Sequence, residues 1–170
     1  GRYILLLNSD TEVSPGAFER MLDFMNRHPR AGALGPQLRN SDGSLQLTAK
    51  RFPNALSGLF GRKSPLTRWF PNNRISRSYL LELGEVRNNP FEADCLSGAC
   101  LLVRKQVIQA IGLLDEGFFM YWEDNDWCFR IKEAGWKIYV LPAVHIIHHE
   151  AQSSRGHPAR YVIAFHRSAY

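Results

Sequence analysis

Blocks of apolar and polar positions along the chain predict alternating strands and helices. Residues 3–7, YILLL, form a continuous apolar run, which is typical of a buried strand. Ser14 and Pro15 follow as a cap and a first-turn proline, and apolar residues at three- and four-residue spacing then predict a helix that ends near Pro29. The next predicted strands are AGALGPQL at 31–38 and, after a turn, LQLTAKRF at 45–52.

Order returns after residue 92 with a second set of elements. The predicted elements are a strand at 99–105, a short helix at 105–112, a helix at 123–134 that stops at Gly135, strands at 137–142 and 144–149, and an amphipathic helix from Pro158. This order predicts one domain over residues 1–170 with a layered α/β architecture and a mixed sheet.

Residues 53–92 are predicted to form an irregular loop, because proline and glycine interrupt every periodic stretch. The net charge of the chain is +5, and much of it comes from this loop and its flanks. No nucleic-acid-binding motif accompanies the charge, so nucleic acid is not an expected partner. Basic residues mixed with aromatic ones suit peripheral contact with a membrane surface, and a partly packed loop is the alternative.

Three cysteines and the start of the chain indicate where the protein works. Cys95, Cys100 and Cys128 have spacings that suit neither a zinc site nor a disulfide framework, so we expect buried, reduced thiols in a cytoplasmic protein. No apolar run approaches the roughly 20 residues of a membrane span. The chain opens within a strand without a visible signal peptide, so we expect it to be part of a longer protein.

The densest polar cluster is YWEDNDWCFR, residues 121–130. Glu123, Asp124 and Asp126 would occupy the first turn of a helix, where the helix dipole stabilises carboxylates. A structural explanation is an acidic first turn with an Asp126–Arg130 pair. The functional alternative is that the carboxylates, which follow the aromatic run GFFMYW, line a pocket that excludes bulk water.

Two further clusters contain groups that bind divalent metal ions. His145, His148 and His149 end a predicted strand, and a neutral imidazole is a good ligand. Strand alternation puts His148 on the opposite face from the other two, so the three cannot bind one ion. Asp10 follows Asn8 just beyond the first strand, and it is either part of a turn or a ligand for Mg²⁺ or Mn²⁺.

Taken together, four segments resemble the family 2 glycosyltransferases, closest to the rhamnosyltransferase-like bacterial branch. In chain order they are LLLNSDTEVSPGAFERMLDFMNRHPRAGALGPQLRNSDGSLQ with RFP further on, DCLSGACLLVRK, GLLDEGFFMYWEDNDWCFRIKEAGW and HHEAQSS. The resemblance implies a GT-A fold, a Rossmann-like α/β/α sandwich that binds a nucleotide-diphospho-sugar. It favours the ligand interpretation of Asp10.

The resemblance also implies roles for particular residues. Asp10 matches the last position of the D-x-D-type motif that holds a divalent cation, Mg²⁺ or Mn²⁺, and Asn8 stands where a strict motif has its first Asp. Asp124 matches the catalytic base. His148 matches the His of the H-x-x-G-x-S pattern and would be a second metal ligand, although Ala151 replaces the Gly. The other implied contacts are Asn8, Asp10 and Arg130 with the donor, and Asp94, Gly98, Trp122 and Glu123 with the acceptor.

These roles fit the chemistry of sugar transfer with inversion. One base takes the proton of the acceptor hydroxyl as its oxygen attacks the anomeric carbon. A cation neutralises the departing nucleoside diphosphate. The implied donor is a nucleotide-diphospho-sugar, with rhamnose the sugar that the resemblance suggests. The implied acceptor is a saccharide or a lipid-linked group, and we expect the latter at the inner face of the cell membrane.

The resemblance implies a preceding strand–helix–strand region that holds the base and ribose, and we expect this chain to start beyond it. We therefore expect the isolated chain to bind donor weakly, to turn over little, and to self-associate through an exposed apolar face. The rival hypothesis is a carbohydrate-binding module, or an inactive fragment, that kept the fold without the chemistry. A zinc hydrolase is disfavoured because no H-E-x-x-H spacing is present.

Overall fold

The computed structural model of the chain describes residues 1–52, 69, 88–118 and 122–149. Most of the predicted loop 53–92 and the helix predicted from Pro158 lie outside these residues. The described elements, in chain order, are β1 (Tyr3–Leu7), β2 (Thr11–Val13), α1 (Ala17–Arg27), β3 (Ala31–Arg39), β4 (Phe91–Ala93), β5 (Cys100–Arg104), α2 (Lys105–Ile111), α3 (Glu123–Glu133) and β6 (Lys137–His148).

The strands form one mixed sheet in the order β1-β5-β3-β6-β2, and β4 also pairs with β6. β5 is antiparallel to both β1 and β3, whereas β3 and β6 are parallel. β1, β3 and β6 therefore run in the same direction. Their last residues and the first residues of β5 lie together on one side, which we call the carboxyl side of the sheet.

Helices cover both faces of this sheet, as the layered prediction requires. Adjacent strand residues such as Ala33 and Leu34 belong to different core clusters, because successive side chains of a strand point to opposite faces. One cluster packs the sheet against α1, which contributes Met21 and Met25. The other packs it against α2 and α3, with Trp127 as its largest fully buried side chain.

β1 is less buried than its apolar sequence predicts. Ile4 and Leu7 remain 40% and 43% exposed. The cause is position, since β1 ends the strand order of the described sheet and pairs only with β5 there. The apolar run was therefore a correct signal for a strand but not for a central one.

Three other features of the secondary structure differ from the sequence predictions. The first helix begins at Ala17, because the Ser14 hydroxyl donates to the carbonyl of His145 (2.9 Å) instead of capping the helix. Residues 45–52 are not a strand and make only isolated bridges at Leu45 and Lys50. Residues 91 and 92, assigned to the irregular loop, belong to β4.

β6 joins the two strands predicted at 137–142 and 144–149 into a single strand. Its pairing partner on β3 advances from Pro36 to Gln37 while β6 advances from Leu141 to His145. The three intervening residues, 142–144, form an irregularity in the pairing. It accommodates Pro142, which has no backbone N–H to donate to the neighbouring strand.

The close approach of the Gly32 backbone to Trp136 generates a stability prediction. A Cβ at Gly32 would lie 2.6 Å from Cβ of Trp136, which is fixed to the backbone. We expect Gly32→Ala to lower the free energy of unfolding by about 1–3 kcal/mol, as overpacking does. Urea denaturation followed by circular dichroism measures this.

Gly35→Ala is the matched control on the same strand. A Cβ there meets Cδ1 of Leu96 at 2.9 Å, which is the end of a flexible side chain and can move. Equal losses for the two variants would contradict the packing described at Gly32.

Candidate active site

Polar groups converge on the carboxyl side of the sheet where β1 ends and β5 begins. The backbone amide of Asn8 donates to the carbonyl of Ala99 (2.9 Å), which ties the segment after β1 to the segment before β5. The backbone amide of the next residue back, Gly98, donates to Oδ2 of Asp124 (3.2 Å). Asn8 and Asp124 thus flank one short stretch of backbone.

Asp10 lies in a turn and also faces a histidine, so the two interpretations of this residue are compatible. The Thr11 hydroxyl closes the turn by donating to the carbonyl of Asn8 (2.7 Å). Oδ1 of Asp10 lies 3.4 Å from Nε2 of His148, and the two side chains are only 19% and 12% exposed. The side-chain amide of Asn8 lies 3.5 Å from the same His148 nitrogen.

The other two histidines of this segment point to different partners. Nε2 of His149 is 2.7 Å from Oε1 of Glu12, and its Nδ1 is 2.7 Å from the hydroxyl of Ser41. His145 is exposed overall, but partial burial of its imidazole, together with the charge of Arg39, lowers its pKa. Asp10 therefore meets His148, and the three imidazoles do not converge.

Asp124 lies in the first turn of α3, and hydrogen bonds fix both of its carboxylate oxygens. Oδ2 accepts the Gly98 amide, and Oδ1 accepts the side-chain amide of Asn125 (3.0 Å). Burial raises the pKa of Asp124, while the charge of Lys50 and hydrogen bonds from the backbone of Gly98, Asn125 and Asp124 itself oppose the rise. The carboxylate is oriented, and it binds a proton more readily than an exposed aspartate.

Trp122 and Glu123 precede Asp124 at the start of the helix. Trp122 adopts a left-handed backbone with φ of 70°, a conformation that costs a non-glycine residue energy and recurs at functional sites. Burial, followed by the nearby charge of Asp124, raises the pKa of Glu123. Among the described residues, Oε2 of Glu123 is buried without a hydrogen-bond partner.

Asp94, predicted to contact the acceptor, makes several contacts with protein groups. Its carboxylate pairs with Lys132 and Arg51 and accepts the backbone amide of Phe52 (3.1 Å). Burial alone would raise the pKa of Asp94, but the Lys132 and Phe52 hydrogen bonds and the two positive charges lower it. Asp94 anchors the segment after residue 49 to α3.

Arg130, predicted to contact the donor, makes several contacts within the protein. Its guanidinium binds Oδ2 of Asp126 and donates to the carbonyls of Ile111 (2.8 Å) and Leu113 (3.0 Å) at the end of α2. These contacts join α2 to α3. The Asp126–Arg130 pair that the i,i+4 spacing predicts is present, and the donor contact of Arg130 stays a prediction.

Sequence reasoning missed the groups that support Asp124. The thiol of Cys95 donates to Oδ1 of Asn125 (2.8 Å), which leaves the Asn125 amide free to donate to Asp124. The bridge between Lys50 and Cys95 brings the lysine to this region. The position of Asn125 between two acids in EDND was the available signal, whereas Lys50 and Cys95 are brought there only by the fold.

The described cysteines are buried and free, as predicted. Burial raises the pKa of the Cys100 thiol to about 12. Contact with Cys128, together with burial, raises the pKa of Cys95 well above its usual value. Both groups are therefore protonated thiols at neutral pH, consistent with Cys95 acting as a hydrogen-bond donor.

The donor set at Asp10 and His148 fits a divalent cation. Two ligands at right angles, each about 2.1 Å from an octahedral ion, are about 3 Å apart, close to the 3.4 Å observed. No cluster of three His, Cys, Asp or Glu ligands occurs in the described ranges. Two protein ligands are enough for Mg²⁺ or Mn²⁺ when water and phosphate oxygens supply the rest.

Residues 1–169 match the family profile "Glycosyltransferase like family 2". The chain is 37% identical over 168 residues to the N-acetylglucosaminyl-diphospho-decaprenol L-rhamnosyltransferase of Mycobacterium tuberculosis, covering 99% of this chain and 53% of that protein. It is also 37% identical over 62 residues to the rhamnosyltransferase WbbL of Escherichia coli K12, covering 36% and 24%. The chain thus spans about half the length of its mycobacterial relative.

A solved structure supports the fold. The crystal structure of GalNAc-T7 with UDP, GalNAc and Mn²⁺ superposes with a TM-score of 0.57 at 14% identity, covering 87% of this chain and 27% of that one. The chain belongs to glycosyltransferase family 2 and has the α/β GT-A-like fold that the resemblance implied. In the described part of the chain, no helix is long and apolar enough to cross a membrane.

The contacts of Asp94 generate a prediction that separates anchoring from acceptor binding. Asp94→Asn removes the ion pair with Lys132, so we expect the free energy of unfolding at neutral pH to fall by about 1.5–3 kcal/mol. Because the native pKa is lowered, this contribution is present above the ordinary value of 3.8 and is lost as the pH falls through the native pKa. Urea titrations at several pH values measure it.

Glu133→Gln is the control for Asp94→Asn, because it removes an exposed carboxylate one residue beyond Lys132. Its stability should match that of the unmodified protein. Unchanged stability of Asp94→Asn, with loss of acceptor binding, would contradict the anchoring role and support the predicted acceptor contact.

Proposed function

We propose that the protein transfers a sugar from a nucleotide-diphospho-sugar to a saccharide or lipid-linked acceptor, with inversion at the anomeric carbon. The observation that carries the proposal is that Asp124 and Asp10 lie on the same carboxyl side of the sheet. Gly98 binds Asp124, the adjacent Ala99 binds Asn8, and Asn8 and Asp10 both face His148. Ligands of open α/β sheets bind on this side.

In the proposed reaction, Asp124 is the general base. Its carboxylate accepts the proton of an acceptor hydroxyl while that oxygen bonds to the anomeric carbon and the bond to the diphosphate oxygen breaks. A single displacement inverts the anomeric centre and needs no carboxylate nucleophile. Asn125 and the Gly98 amide hold the carboxylate in a fixed orientation, which keeps the base aligned with its proton.

Asp10 and His148 would hold Mg²⁺ or Mn²⁺, and Asn8 would contact the donor beside them. A bound cation neutralises charge on the leaving diphosphate. Support comes from the donor set and from the Mn²⁺ in the GalNAc-T7 crystal structure. Asp10 offers a negatively charged carboxylate to the ion and His148 a neutral imidazole, so the site is selective for a cation over an anion.

Trp122 and Glu123 are the proposed acceptor contacts, with Gly98 at the junction of donor and acceptor. The raised pKa of Glu123 and its unpartnered oxygen suit a hydrogen bond to a sugar hydroxyl. The names of the mycobacterial and Escherichia relatives support rhamnose as the sugar. The mycobacterial name also supports a lipid-linked saccharide as acceptor, which would place transfer at the cytoplasmic membrane face.

The metal ligands generate a binding prediction. Asp10→Asn and His148→Ala each remove a ligand, so we expect Mn²⁺ affinity to fall at least about tenfold, measured by electron paramagnetic resonance of free Mn²⁺. His149→Ala is the control, because its side chain contacts Glu12 rather than Asp10. Equal losses for both histidine variants would contradict the proposed ligand set.

The general base generates a kinetic prediction. Asp124→Asn should lower the transfer rate by at least about 10²-fold while donor binding persists, because the base acts on the acceptor. The acidic limb of the rate–pH profile should lie above 3.8, since burial raises the pKa of Asp124 and the base must be deprotonated. Product formation from dTDP- and UDP-sugars, followed by mass spectrometry, measures both.

Asp126→Asn is the matched control for the base, because Asp126 lies in the same turn but pairs with Arg130. Its rate per folded molecule should match that of the unmodified protein. Because little turnover is expected of the isolated chain, these rates are compared in a full-length version, where sugar binding without transfer would favour the rival carbohydrate-binding function.

A further inference from the structure

Gln46 is a buried polar residue whose side chain binds His148 at two points. It is 3% exposed and lies in the segment that follows β3. Its Nε2 atom donates to the backbone carbonyl of His148 (2.7 Å) and to Oδ1 of Asn40 (2.7 Å). Its Oε1 atom lies 3.0 Å from Nδ1 of the His148 ring. A buried amide is costly unless such bonds satisfy it.

These contacts determine which ring nitrogen of His148 carries the proton in the neutral imidazole. A backbone carbonyl can only accept, so the Gln46 atom facing the His148 carbonyl must be the amide nitrogen. The other amide atom is therefore the oxygen, which also can only accept. Nδ1 of His148 must then donate, and the unprotonated nitrogen is Nε2.

Nε2 is also the nitrogen that faces the polar groups of the site. It lies 3.4 Å from Oδ1 of Asp10 and 3.5 Å from the side-chain nitrogen of Asn8, which can donate to it. A nitrogen must present its lone pair to bind a metal ion, and a hydrogen bond at the other ring nitrogen commonly fixes that arrangement.

We propose that Gln46 is a positioning residue that holds His148 in the Nδ1–H tautomer and presents the lone pair of Nε2 toward Asp10. The expected effect of Gln46 on cation binding rests on the proposed function, whereas the assignment of the His148 tautomer does not. We call the two contacts of the Gln46 side chain with His148 the clamp. Because the Gln46 side chain is uncharged, the clamp orients the imidazole without adding a negative charge to the site. It also binds the backbone of the same residue, which fixes the position of the ring as well as its proton.

The first test is a nitrogen–proton correlation spectrum of the ¹⁵N-labelled protein without metal, at a pH where histidines are neutral. His148→Gln identifies the His148 signals by their disappearance. We expect Nδ1 to resonate as the protonated nitrogen and Nε2 as the unprotonated one. A His148 ring protonated mainly at Nε2 would overturn the inference. This measurement on the unmodified protein needs no variant of Gln46.

Gln46→Met tests the clamp directly, because it keeps the shape of the side chain and removes both hydrogen-bonding groups. We expect a larger share of the Nε2–H tautomer and a loss of Mn²⁺ affinity of about 10–100-fold. Gln46→Glu should retain the Nδ1–H tautomer, because its carboxylate still accepts from the ring. Thermal unfolding establishes that each variant is folded, and if Gln46→Met is not, the unmodified protein and Gln46→Glu decide.

Gln37→Met is the matched control. Gln37 is the other buried glutamine of the described residues, at 4% exposure, and its side chain accepts from Arg39 rather than binding His148. It should leave the His148 tautomer and Mn²⁺ affinity unchanged. The same shift of the tautomer in Gln37→Met and Gln46→Met would mean that general loosening, not the clamp, is responsible.

The two proposals fail in distinguishable ways. An Nδ1–H ring in a protein that does not bind Mn²⁺ would leave the clamp standing and remove the metal-assisted function. Mn²⁺ binding that depends on Asp10 and His148, in a protein whose His148 is protonated at Nε2 before metal is added, would leave the function standing and remove the clamp.

Discussion

The insertion of β5 between β1 and β3, antiparallel to both, is the constraint on which the site depends. A parallel strand there would start at the far side of the sheet, and Gly98 and Ala99 would lie far from Asn8. Because β5 is reversed, the backbone before it meets the backbone after β1. The same backbone orients Asp124. Residues more than a hundred positions apart are thus brought to one place by strand direction.

Neutral groups support Asp124 and His148, the side chains proposed to act on the proton and the cation. Asn125 and the Gly98 amide orient Asp124, and Gln46 binds His148. Neutral donors and acceptors fix geometry without cancelling the charges that a cation or a proton must meet. Close charge pairs occur at Asp94 with Lys132 and at Arg130 with Asp126, where they join neighbouring segments of the chain.

Much of the fold could be predicted because its signals are local. The apolar face of α1 and the boundaries of α3, with Gly135 beyond it in a left-handed conformation, follow from periodicity and capping. The rest depended on distant partners. Ser14 could cap a helix or bind β6, and only the tertiary fold decided. Motif resemblance singled out Asp10, Asp124 and His148, which the fold brings to one side of the sheet, but it could not reveal that Asp94 pairs with Lys132.

The irregularity in β6 decides which of two neighbouring imidazoles meets Asp10. Side chains alternate along a strand with a period of two, so a shift of one residue exchanges the two faces. Beyond Pro142, pairing resumes with His145 opposite Gln37, and this register carries His148 to Asp10 and His149 to Glu12. Inserting or deleting one residue in this three-residue segment would therefore change which histidine faces Asp10, although no ligand residue itself is substituted.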